Sequence, residues 1–141
     1  MKQLSLDQLG RMDPEEYRQA EKMPVVVVLD NIRSLHNIGS VFRTADAFRV
    51  TAVFLCGITA CPPHREIHKT ALGATESVRW KYFKTTEEAI HHLKAKGFQV
   101  LAVEQTVKST PLHHTKQTSE HTALVFGNEV EGVGDAVLQL C

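Results

Sequence analysis

An α/β domain with a mostly parallel sheet flanked by helices is the fold class this sequence predicts, on three observations. Val25–Leu29 is a run of five apolar residues, four of them valine, as in strands buried on both faces of a parallel sheet. Runs of this kind alternate along the chain with stretches whose apolar residues recur at helical spacing, the order of βαβ units. The length of 141 residues, 43% hydrophobic and 23% charged, suits one globular domain. A chain near this size buries roughly 68–70% of the surface exposed when unfolded, enough for a real core.

The elements follow in order. Ser5 and Asp7, and then Asp13-Pro14-Glu15-Glu16, combine cap residues, a proline at the first helical position and acids in the first turn. They predict a helical arm ending near Lys22, with Pro24 as its stop, so that residues 1–24 are an arm and 25–141 the main domain. The Val25–Leu29 strand leads into polar Asn31–His36. Ile38, Val41, Phe42, Ala45 and Phe48 then mark a helix capped by Asn37. Ala52–Cys56 is a strand closed by Gly57, and Cys61-Pro62-Pro63 breaks the chain before a short helix at His64–Ala71. Val78–Phe83 is a strand; within it Trp80, Tyr82 and Phe83 are expected to pack, with base stacking as the second possibility. Thr86-Glu87-Glu88 opens a helix that stops at Gly97. Phe98–Val103 and Thr122–Phe126 are the last strands, and the remainder turns helical.

Lys+Arg and Asp+Glu are 16 each, which argues against a non-specific polyanion binder, since that mode rests on many phosphate-neutralising charges. The charge is uneven: residues 51–84 carry five basic and two acidic groups, and residues 97–141 two basic and five acidic. Arg65, Lys69, Arg79, Lys81 and Lys84 could therefore face a phosphate backbone. Cys56, Cys61 and Cys141 form no paired framework, and no apolar run approaches the roughly 20 residues of a membrane span, so a cytoplasmic protein without a membrane partner is expected. Cys56 reads as a buried strand residue. His64 and His68 stand i, i+4 beside Cys61, but without a Cys-x-x-Cys pair no metal site is expected.

Ligands of open parallel sheets sit at the carboxyl ends of the strands, which makes Asp30–Arg43, Glu104–Thr106 and Gly127–Gly132 the expected functional rim. Two segments there stand out. Asn37 and Arg43 lie on the helix after the first strand, where an amide can be offered to a ligand and a guanidinium fork suits a phosphate; an ordinary helix with a surface arginine would look the same. Gly39, in that helix, permits close approach of another backbone or a nucleotide. Val125–Gly134 holds three glycines and two carboxylates between a strand and a helix, which fits a ligand loop or a simple turn.

His36-Asn37-Ile38-Gly39-Ser40-Val41-Phe42-Arg43-Thr44-Ala45-Asp46-Ala47-Phe48 resembles the first signature motif of the SpoU (TrmH) RNA methyltransferases. Leu124-Val125-Phe126-Gly127-Asn128-Glu129-Val130-Glu131-Gly132-Val133 resembles their second, and Gly127 follows Asn37 by 90 positions in the family's order. The resemblance covers residues 25–141. It implies a SPOUT fold, with a C-terminal trefoil knot that periodicity could not reveal. It also implies S-adenosylmethionine as cofactor, a homodimer, and methylation of a ribose 2′-hydroxyl in tRNA or rRNA rather than DNA. Carried over by position, Asn37, Arg43 and Glu129 are the catalytic candidates, and Val103, Gln105, Phe126 and Gly127 the cofactor-binding ones.

A ribose hydroxyl must lose its proton and align with the methyl group. Arginine is hard to deprotonate, so Arg43 is expected to grip a neighbouring phosphate and orient the hydroxyl while the proton leaves to phosphate or water. Asn37 would hold Arg43 or the ribose, and Glu129 would anchor Arg43 or Asn37 from the opposite loop. The family's third motif, which would complete the knot, has no counterpart in the nine residues after Gly132. The expectation is a fragment of a longer protein, binding cofactor poorly by itself. Two other functions fit less well: a non-catalytic RNA-binding or assembly protein that keeps the fold, and a small-molecule nucleotide-binding protein.

Overall fold

The computed structural model describes the backbone of residues 1–141 and every side chain except those of Leu6 and Asp7, so the part assigned to Asp7 in starting the arm lies outside the described residues. Five strands, β1 (Met23–Asp30), β2 (Val50–Cys56), β3 (Trp80–Phe83), β4 (Gln99–Val103) and β5 (Thr122–Phe126), form one sheet in the order β3-β2-β1-β5-β4. All four pairings are parallel. The carboxyl ends therefore share one rim, and central β1 sets the loop after it beside the loop after β5.

Both faces of the sheet are covered, which accounts for the unbroken valine run. Val27, Leu29, Val53 and Leu55 pack against Ile38, Phe42 and Ala45 of α2 (Leu35–Ala47) and Ile67 and Ala71 of α3 (Arg65–Ala71). On the other face Val26, Val28, Phe54, Cys56, Val100 and Val125 meet Ala89, Ile90 and Leu93 of α5 (Thr86–Lys94), with Val137 of α6 (Asp135–Leu138). Each valine, leucine, isoleucine or phenylalanine among them contributes about 1.5–3 kcal/mol on burial. Cys56 is fully buried, and burial pushes its thiol up to about 12.

Several expectations need correction. The arm is a 3-10 turn at Leu6–Leu9 and a separate α1 (Pro14–Gln19), because Gly10 turns left-handed between them and Ala20 is already extended. Pro24 stands within the irregular start of β1 instead of ahead of it, a position strands tolerate. The cap of α2 is Ser34, whose hydroxyl accepts from the Asn37 N–H at 3.2 Å. That helix ends at Ala47, so Phe48 leaves its apolar face and is 60% exposed. A further turn, α4 (Ala74–Ser77), precedes β3. Because β3 is an edge strand, only Phe83 of its aromatics packs, with its ring 4.9 Å from that of Phe54, while Trp80 and Tyr82 are exposed.

Candidate functional site

Two loops remote in sequence clasp each other on the rim. Asn128 Nδ2 donates to the Asn31 carbonyl at 2.8 Å. The Glu129 carboxylate accepts from the backbone N–H groups of Arg33 and Ser34, both at 3.0 Å, and from Asn37 Nδ2 at 3.1 Å. Local structure makes this possible: with Ser34 as the cap, Asn37 is the third residue of α2 and its amide is available to Glu129. Burial pushes the Glu129 carboxyl up, but hydrogen bonds from Arg33, Ser34 and Asn37 outweigh it and hold the group below the usual carboxylate range. Asn31, itself left-handed at φ 54, accepts from the Ile58 N–H and so links the loops after β1 and β2.

The β5–α6 loop is closed on itself. Asn128 Oδ1 accepts from the N–H groups of Val130 and Glu131 at 2.9 and 3.1 Å, and Asn128 and Gly132 exchange backbone hydrogen bonds at 3.0 and 2.9 Å. The chain returns so tightly that a Cβ on Gly127 would lie 2.2 Å from the Gly132 carbonyl carbon. The glycine there serves the loop's own crossing. In the same way Gly39 admits α3, since a Cβ would lie 2.2 Å from the Ile67 carbonyl oxygen.

A second carboxylate braces this loop. Glu104, immediately after β4, accepts from the Val133 N–H at 2.9 Å and from the Gln105 N–H at 2.8 Å, and these bonds hold its carboxyl below the usual range. Glu104 lies within the expected rim, at the strand end Val103-Glu104-Gln105 that the family resemblance makes a second cofactor wall. It borders a cleft of about 730 Å³ with Val103, Thr106, Leu112 and Leu138. Val103, 50% exposed, pairs in register with Phe126, 36% exposed, so two apolar strand ends form an open step there. Of the predicted cofactor residues Val103 is on the cleft wall, while Gln105, Phe126 and Gly127 flank it.

Arg43 is placed elsewhere. It stands about 9 Å further along α2 than Asn37 and about 240° round the axis, and among the described residues no hydrogen bond or ion pair joins it to Asn37 or Glu129. It lines a cleft of about 540 Å³ with Arg11, Tyr17, Asp46 and Arg49. Asn37 and Glu129 thus meet as expected, whereas Arg43 belongs to a different cluster. His64 Nδ1 accepts from the Glu66 N–H at 3.1 Å as the cap of α3, and among the described residues no three metal-ligating side chains converge.

The sequence profile of the SpoU rRNA methylase family matches residues 24–141. The chain is 29% identical over 118 residues to the 23S rRNA (guanosine-2′-O-)-methyltransferase RlmB of Neisseria meningitidis, covering 84% of this chain and 46% of that protein. It is 25% identical over 134 residues to the RlmB of Vibrio vulnificus, covering 95% and 53%. Among solved structures it resembles the AdoMet-bound rRNA methyltransferase of Sinorhizobium meliloti, with a TM-score of 0.76 and 26% identity over 87% of this chain and 47% of that one. The chain spans about half the length of the curated relatives it matches.

Proposed function

Because this chain belongs to the SpoU rRNA methylase family, we propose that it is the methyltransferase portion of an S-adenosylmethionine-dependent enzyme. In this proposal the enzyme is a cytoplasmic homodimer with a SPOUT trefoil knot, and it acts on a ribose 2′-hydroxyl of tRNA or rRNA. The observation that carries the proposal is the clasp between the two motif segments, in which Glu129 holds Asn37 across the rim.

The residues present fit the cofactor. A cation carried on an apolar body suits the step of Val103 and Phe126 beside Glu104, whose carboxylate stays ionised. Val103, Glu104, Phe126 and the backbone at Gln105 and Gly127 would hold it. When bound, S-adenosylmethionine would supply an electrophilic sulfonium methyl group, with a neutral thioether as the leaving group. The chain's own residues supply position. Glu129 fixes the Asn37 amide, leaving its carbonyl oxygen to orient a ribose hydroxyl. Arg43 grips the adjoining phosphate from its separate place on α2, and the hydroxyl proton passes to phosphate or water.

Methyl transfer from radiolabelled cofactor to bulk tRNA and rRNA tests this in the full-length protein. Arg43→Ala is expected to lower turnover by about 100-fold or more, the scale of lost positioning. Near-normal turnover in that variant would overturn the role given to Arg43.

A further inference from the structure

The cleft around Arg43 is built partly by residues outside the family-matched segment 24–141. Arg11 reaches it from the arm, and the arm is docked by Tyr17, which is 6% exposed and whose hydroxyl approaches the carbonyls of Asp46 at 3.1 Å and Ala45 at 3.3 Å near the end of α2. Arg49 completes the trio from the turn into β2. All three side chains are exposed. The ion pairs among the described residues, Arg18–Glu15, His36–Glu66 and Lys69–Glu66, include none of them. Asp46 and Glu76 also line the cleft, so its three guanidiniums outnumber its carboxylates by one.

Two features of this cluster oppose folding. Three guanidiniums lining one cleft repel one another. Arg49 also has a left-handed backbone, φ 51, a conformation that glycine adopts freely and a side chain with a Cβ does not. Strained residues of this kind gather at ligand sites, and an oxyanion between the three cations would relieve the repulsion.

We infer that Arg11, Arg43 and Arg49 together bind backbone phosphate of an RNA, with the arm supplying Arg11 as a contact made outside the family-matched segment. The inference rests on the proposed RNA substrate, and one phosphodiester between three forks matches guanidinium recognition.

The test uses the full-length protein in two assays. One measures binding of unfractionated tRNA and rRNA fragments over a range of salt concentrations. The other follows the arginine Nε–H signals by NMR on addition of inorganic phosphate. Arg11→Ala is expected to weaken RNA binding roughly three- to tenfold and to reduce the slope of log K against log salt by about 0.7–1, one phosphate contact; Arg11→Lys should restore most of the slope. Phosphate should shift the signals of Arg11, Arg43 and Arg49 together. An unchanged slope in Arg11→Ala, with RNA still bound and methylated by the parent protein, overturns this inference and leaves the methyltransferase proposal standing. If the parent binds no RNA, the substrate proposal and this inference both fail, and phosphate shifts would then mark a free-phosphate site.

Discussion

Glu129 and Glu104 each spend a carboxylate on backbone N–H groups of a neighbouring segment, and that pairing ties loop geometry to protonation. Both groups sit below the 4.5 of an ordinary glutamate. A depressed carboxyl contributes stability that is complete above its unfolded value and is lost as pH falls through the lower, folded one. The clasp should therefore be intact at and above pH 4.5 and open only in more acid solution. Amide chemical shifts of Ser34 and Val133, followed by NMR, are expected to titrate with midpoints below 4.5. Glu129→Gln should abolish the Ser34 titration and leave that of Val133. A midpoint at or above 4.5 would mean that these bonds do not form in solution. Because Glu129 is exposed and Glu104 partly so, the effect belongs to the loop and should scarcely change global stability.

Helix α2 shows how one element serves both packing and chemistry. Its buried side, Ile38, Phe42 and Ala45, follows from apolar spacing and was legible before any coordinates. Its cap was not, because Ser34 and Asn37 are both good capping residues and only the fold shows which hydroxyl or amide turns inward. That one-turn difference releases the Asn37 side chain to Glu129. The contact between α2 and α3 depends on Gly39, where an added methyl would meet the Ile67 carbonyl oxygen at 2.2 Å and Thr70 Oγ1 at 2.1 Å. Thr70 can rotate, but the carbonyl belongs to a helix and cannot retreat alone, so the helices must part. Gly39→Ala is expected to destabilise the fold by about 3 kcal/mol, the upper part of the range for overpacked sites. That corresponds to a fall in Tm of about 10 °C, checked by thermal unfolding. A Tm within two or so degrees of the parent, at about the size of effect a surface change gives, would show that the helices separate easily.

For the whole molecule, the parallel sheet and its element order were readable because a doubly covered sheet imposes continuous apolar strands, and each strand shows that run locally. The juxtaposition of Asn31 with Asn128, the bracing by Glu104 and the arginine cleft were not, since each joins residues brought together only by strand order and by arm docking. The exposure of Trp80 is likewise not written in its own segment, because an edge position is a property of the sheet. Trp80 is the chain's one tryptophan, and it lies with His64, Arg65 and His68 around a groove of about 530 Å³ that shares Glu76 with the arginine cleft. An RNA whose phosphate lies among Arg11, Arg43 and Arg49 would have its neighbouring nucleotides directed onto this groove, where an indole offers a stacking face. Adding RNA is therefore expected to quench tryptophan emission to saturation. The combined substitution of Arg11 and Arg49 by alanine should move the midpoint to higher RNA concentration without altering the endpoint, since the stacked base is unchanged. Binding detected by anisotropy with no change in emission would place the RNA on another face, and the basic segment 51–84 would then owe its charge to solubility.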